Sequence, residues 1–267
     1  MKDHTYVSRP VDKDGYVQWS DEENKTWSIL VDRQSQLIKG KACEAFFDGL
    51  EKLDFPVDRI PQIPDINRIL NAATGWGVEP VPAIIQPKAF FTLLANKRFP
   101  AATFIRRPED IDYIEEPDIF HEIYGHTPLL TNQNYADFME KFGKLALQAD
   151  PKDRSRLFRL FWFTIEFGLL DTDAGLRAYG GGILSSIGET QFCLSGKPMI
   201  QPMDALTVLR TPYRIDIIQP LYFVISDFSD LFSILEQDIL ALLIRSKTLG
   251  DNPALYPQKI APEKQAS

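Results

Sequence analysis

PDIFHEIYGHTPLL, residues 117–130, is the stretch on which the reading of this chain turns. The whole sequence holds three histidines, and two of them, His121 and His126, fall inside the six residues HEIYGH. On an ideal α-helix an offset of five residues rotates the side chain by about 140° from its starting direction, so the two rings would not share a face. Gly125 permits the helix to loosen or end just before His126, and Thr127-Pro128 marks an ending, which lets His126 swing back toward His121. The plainer alternative is one polar residue on a helix face and another acting as a C-terminal cap.

Farther along the chain, LFWFTIEFGLL (160–170) sets Glu166 among apolar or weakly polar neighbours. A lone buried carboxylate is costly unless it meets a cation or takes up a proton, and a metal meets that need. Two neutral imidazoles and a carboxylate form the facial arrangement that leaves coordination positions open, which suits iron(II) that must bind O2. The same ligand types also make a catalytic zinc site, so ligand chemistry alone leaves that choice open. A buried ion pair of Glu166 with Arg154, Arg159 or Arg177 is the competing reading.

The rest of the sequence bounds what such a site can belong to. With 267 residues, 44% hydrophobic and 25% charged, the chain suits one large domain with a well-buried core, here 1–267. The formal charge of -8 with scattered Lys and Arg speaks against a nucleic-acid partner. Cys43 and Cys193 are too few for a disulfide framework or a thiolate zinc site and read as reduced, buried thiols. No signal-like segment or membrane-length apolar run is present, so a cytoplasmic protein with no membrane partner is expected.

Helical periodicity dominates. Residues 1–20 read as an irregular arm, and Ser20-Asp21 with Glu23 forms a capping box for a helix running to about Leu50. Pro64 and Gly75 bracket a short helix, and the prolines from Val78 to Pro87 bar a central strand. Further helices are expected at Lys88–Lys97, from Asp118 onward, at Asn132–Ala149, at Lys152–Leu170 and at Phe228–Ser246. Brief strands are expected near Ala102–Ile105, Leu176–Tyr179 and Arg214–Ile217, and 247–267 reads as an irregular tail. The fold class is therefore mainly α with a few short β-strands.

At this point the residues resemble a known family. PDIFHEIYGHTPLL is similar to the iron-binding signature of the pterin-dependent aromatic amino acid hydroxylases. WFTIEFGL (162–169), AYGGGILSSIGE (178–189) and QPLYFV (219–224) look like successive family blocks in the family's order. The closest likeness is to its short bacterial phenylalanine-hydroxylating members. The resemblance implies the single-domain catalytic fold of that family, with one atom of O2 inserted into the ring of L-phenylalanine and tetrahydrobiopterin supplying two electrons.

By the same resemblance His121, His126 and Glu166 hold Fe(II), and Arg106 in FIRRPED pairs with the substrate carboxylate. Trp162 and Phe167 line the ring pocket, and Ser185 lies near the substrate backbone and the iron ligands. Glu189 is a carboxylate that fixes the tautomer of a ligating imidazole. In PVPAIIQPKAFFTLLA (80–95), Ala83 and Ile85 face the pterin and Phe90 stacks on it, while Glu122 is an acid near that cofactor. The glycine run 180–182 lacks the spacing of a phosphate loop. A regulatory domain before the catalytic one and a heptad segment after Ser246 are both missing relative to animal members, which implies a monomer. Ile215 stands where the tyrosine-specific member has an acid, which leans toward phenylalanine. A zinc hydrolase using Glu122 as base and a metal-stabilised amino acid sensor are the competing functions.

Overall fold

The computed structural model of the protein describes residues 6–82 and 85–257, and its first helix starts where its cap dictates. Ser20 accepts from the Glu23 amide while the Glu23 carboxylate accepts from the Ser20 amide, and α1 runs Asp21–Leu37. It does not reach Leu50. Gly40 takes a positive φ of 71°, and Lys41–Cys43 exchange backbone hydrogen bonds with Ala178, so α2 begins afresh at Glu44 and ends at Leu53. Helix α3, Ile63–Thr74, has Pro64 in its first turn and closes on Gly75 in the left-handed region.

Strand β1 (Gly77–Val81) pairs in parallel with β2 (Arg98–Ala102) around α4 (Pro87–Ala95). A two-stranded sheet has only edge strands, which is why Pro80 is tolerated in β1. Strand β2 thus lies a few residues before the expected Ala102–Ile105. Helix α5 spans Gln133–Gln148 behind the Asn132 cap, and α6 spans Arg154–Phe161. An aromatic layer joins α4, α5 and α6: Phe91 meets Phe142 at 5.9 Å and Phe158 at 4.8 Å, and Phe142 meets Phe161 at 6.0 Å. Such pairs contribute about 0.5–1.5 kcal/mol each beyond their buried area.

The expected helix over Lys152–Leu170 is interrupted. After α6 the chain makes a π-helical turn at Trp162–Glu166 and then enters β3, Gly168–Thr172, which forms an antiparallel hairpin with β4, Gly175–Ala178. Two short helices, α7 (Gly181–Leu184) and α8 (Ile187–Phe192), lead to β5 (Met199–Pro202), α9 (Ala205–Arg210) and β6 (Leu221–Ile225). The four strands lie in the order β4-β3-β6-β5, with β6 parallel to both neighbours.

Residues Arg214–Ile217 form no strand. The carbonyls of Arg214 and Ile217 accept from the Gln219 side chain instead of a neighbouring strand. The last expected helix divides into α10 (Ser229–Glu236) and α11 (Ile239–Leu249), because the Asp238 side chain caps a new start. The architecture is mainly α with a few short strands. Cys43 and Cys193 are buried free thiols, and among the described residues no helix is long and apolar enough to cross a membrane.

Candidate metal centre

Residues Phe120–His126 form a π-helix. Its i→i+5 pattern brings residues five apart to nearly one turn, so the offset that is awkward for an α-helix is natural here. Gly125 therefore does not end the helix before His126; its part is to admit α7, since a Cβ there would lie 2.7 Å from the Gly181 carbonyl oxygen and 3.2 Å from Ser185 Cβ. Glu166 closes the second π-helical turn, where the Phe167 amide bonds the Trp162 carbonyl at 2.8 Å. Both local irregularities serve one convergence.

Nε2 of His126 lies 3.2 Å from Nε2 of His121 and 3.3 Å from Oε1 of Glu166, and His121 Nε2 is 3.6 Å from Glu166 Oε2. Two ligand atoms each about 2.1 Å from one ion stand about 3.0 Å apart at a right angle and about 3.4 Å apart at the tetrahedral angle. The observed spacing is close to that range, and these three residues form a group able to hold a metal ion. Arg154, Arg159 and Arg177 all bond elsewhere, to the Ala146 carbonyl, Asp251 and the Leu176 carbonyl respectively, so none neutralises Glu166.

The donor chemistry fits a cation. Ser185 Oγ donates to the Gly181 carbonyl at 2.8 Å, so it is free to accept from His121 Nδ1 at 2.9 Å, which leaves the Nε2 lone pair of His121 facing His126 and Glu166. Burial pushes the His121 pKa down to about 4 against the opposing pull of Glu166, with His126 lowering it further, so the imidazole is neutral near neutral pH. Burial alone would raise the Glu166 carboxyl, but His126, His121 and the Gly182 amide together hold it below the usual carboxylate range. A neutral His121 imidazole and an ionised Glu166 carboxylate are the protonation states a metal requires of them.

A cavity of about 570 Å³ opens on this cluster, lined by His121 and Glu166 together with Arg106, Trp162, Phe167 and Ser185. Trp162 and Phe167 meet at 4.5 Å between ring centroids. Arg106 is buried, its Nε and Nη2 bonded to the fully buried Asp118 at 2.8 and 3.0 Å. That side-on pairing leaves other guanidinium N–H groups for the cavity. Asp118 was not singled out from the sequence, yet it also accepts from the Arg106 and His121 backbone amides, both at 3.0 Å. Burial would raise its carboxyl, and Arg106 with these amides brings it below its ordinary value. Its signal was an Asp three residues ahead of the first histidine, a capping position.

Glu189 lines the cavity but fixes no imidazole. Its Oε1 accepts from the Gln219 amide at 2.9 Å and its Oε2 from the Tyr222 hydroxyl, while Ser185 holds His121. The expected role of Glu189 is thus corrected, because α8 turns its side chain toward β6. Burial pushes its carboxyl up to about 7, with the Tyr222 and Gln219 hydrogen bonds opposing.

The residues expected to face a pterin are scattered. Ala83 lies outside the described residues. Ile85 lines a separate depression between β1 and α4, shared with Val81, Lys88 and Ala89. Phe90 is partly buried and packs against Phe91, Phe158 and Phe161 at 5.2–5.6 Å. Glu122 sits beside the ligand cluster, where burial, Glu166 and Asp118 all push its carboxyl well above its ordinary value.

The model of the biopterin-dependent aromatic amino acid hydroxylases matches residues 3–247. Phenylalanine-4-hydroxylase of Pseudomonas aeruginosa is 51% identical over 98% of this chain and 100% of its own length. The apo structure of the cold-active phenylalanine hydroxylase from Colwellia psychrerythraea superposes with a TM-score of 0.91 at 50% identity, covering 93% of this chain and 97% of that one. The Chromobacterium violaceum phenylalanine hydroxylase with bound oxidised Fe(III) gives 0.87 at 40% identity, covering 95% and 94%.

Proposed function

The chain belongs to the biopterin-dependent aromatic amino acid hydroxylase family, and from that premise we propose that it is a phenylalanine 4-monooxygenase, converting L-phenylalanine and O2 to L-tyrosine at the expense of a reduced pterin. The observation that carries the reading is the set of three metal-ligating atoms opening on a cavity walled by Trp162 and Phe167. His121, His126 and Glu166 hold Fe(II), which with tetrahydrobiopterin supplies the activation of O2. Arg106, steadied by Asp118, presents its remaining N–H groups to the substrate carboxylate. Trp162 and Phe167 flank the substrate ring and exclude water around it, and Ser185 keeps the His121 lone pair directed inward. Glu122, beside the ligand cluster, is the proposed acid toward the pterin, Ala83, Ile85 and Phe90 are assigned to it on family resemblance alone, and the chain acts as a monomeric, cytoplasmic catalytic domain.

The test is to strip the purified protein of metal and reload it. Tyrosine should form only with iron and a reduced pterin both present, and zinc should leave the protein inactive. Iron-dependent turnover without pterin, or peptide hydrolysis with zinc, would contradict the assignment.

A further inference from the structure

Gln219 is 2% exposed, and each polar atom of its side chain is engaged. Its Oε1 accepts from Trp162 Nε1 at 3.1 Å, and its Nε2 donates to the carbonyls of Arg214 and Ile217, both at 2.9 Å. Its backbone amide donates to Glu189 at 2.9 Å. The amide has one orientation: turned over, it would set N–H against the Trp162 N–H and oxygen against two carbonyls. Gln219 itself does not line the cavity beside the metal-ligand cluster. It borders a second cavity of about 300 Å³, which Tyr213 also lines.

Three of its four partners, however, line the first cavity, namely Trp162, Ile217 and Glu189, and so do Ile215 and Asp216 between its two carbonyl partners. Trp162 is further held by Tyr213, stacked at 4.4 Å with 16° between planes. Among the described residues the 214–217 segment joins no strand; the carbonyls at its two ends accept from Gln219, and Arg214 pairs with Asp216 within it. We propose that Gln219 is a positioning residue that sets the spacing between the Trp162 wall and the 214–217 wall, and so the fit of the aromatic substrate. This rests on the phenylalanine-hydroxylase reading above. A planar amide bonded at both ends transmits a fixed separation that a hydrocarbon of the same size does not.

The iron-loaded full chain is assayed with reduced pterin on L-phenylalanine and L-tryptophan as wild type, Gln219→Leu and Gln219→Glu. Gln219→Leu removes every side-chain bond, whereas Gln219→Glu keeps the acceptor for Trp162 but sets an oxygen against the two carbonyls. Both should raise the KM for L-phenylalanine about tenfold and erode the preference over L-tryptophan by a similar factor, with iron content and pterin KM unchanged. Unchanged KM and preference with only a lowered Tm would overturn the role. A measurement on the wild type needs no variant to fold: slow solvent exchange of the Trp162 indole proton supports the bond, and exchange as fast as an exposed tryptophan overturns it. A wild type that forms no tyrosine refutes the proposed function, whereas an active wild type with indifferent variants refutes this role alone.

Discussion

Gly181 lies flat against the imidazole of His126: a Cβ there would come within 2.3 Å of Cε1, 2.5 Å of Nδ1 and 2.6 Å of Nε2. The second glycine of the run 180–182 is therefore a clearance for a ligand ring, and no phosphate loop. Gly181→Ala should displace His126 and cost about 1–3 kcal/mol of stability through overpacking. Iron content per chain after dialysis measures the displacement. Full iron occupancy in the variant would show that the ring and α7 can separate.

Ser185 Oγ directs the His121 lone pair by accepting from Nδ1 while giving its own proton to Gly181. Ser185→Ala leaves the ring free to present either nitrogen. Iron affinity should fall by about 10–100-fold, the usual effect of losing such an orienting partner. Competition against a chelator of known affinity reads the change.

Arg106 and Asp118 are a buried, doubly bonded pair, so removing either partner strands the other. Asp118→Ala should cost about 3–5 kcal/mol of stability, seen as a lower urea midpoint. Arg106→Lys keeps the charge but loses the planar fork, and should raise the amino acid KM far more than it changes the pterin KM. An effect confined to pterin would place Arg106 on the other ligand.

Glu189 has a carboxyl raised by burial to about 7 in the folded chain, above its ordinary value of 4.5. Folding then favours its protonated form, so its contribution is fully present below the unfolded pKa and is lost as pH rises toward the folded one. Across that window the wild type should lose about 3 kcal/mol relative to Glu189→Gln, as an order of magnitude. Urea unfolding of both proteins at acidic and mildly alkaline pH measures the difference, and parallel pH profiles would show that folding leaves the Glu189 carboxyl at its ordinary value. The comparison of the two proteins also cancels His121, whose depressed pKa of about 4 acts in the opposite sense.

The local signals were legible where one short stretch contains the whole cause. Ser20 with Glu23, Pro64 with Gly75, and Asn132 each mark a helix end by the atoms that cap it, and the structure places those ends within a residue or two. LYFVI at 221–225, β-branched and aromatic between Pro220 and Ser226-Asp227, carries a strand signal of the same local kind. The ends of β3 and α1 were not readable, because Gly168 and Lys41–Cys43 answer to partners at Tyr179 and Ala178.

The amino acids alone determined that two histidines and a greasy-helix glutamate were candidate ligands, since scarcity and desolvation cost are properties of the sequence itself. They could not state how His121 and His126 share a face, which a π-helix decides, nor that Asp118, Ser185 and Gly181 orient what the ligands present. The reason is physical: burial cost is local to a residue type, whereas a hydrogen bond's direction and a clearance of a few tenths of an ångström exist only once distant segments are packed together.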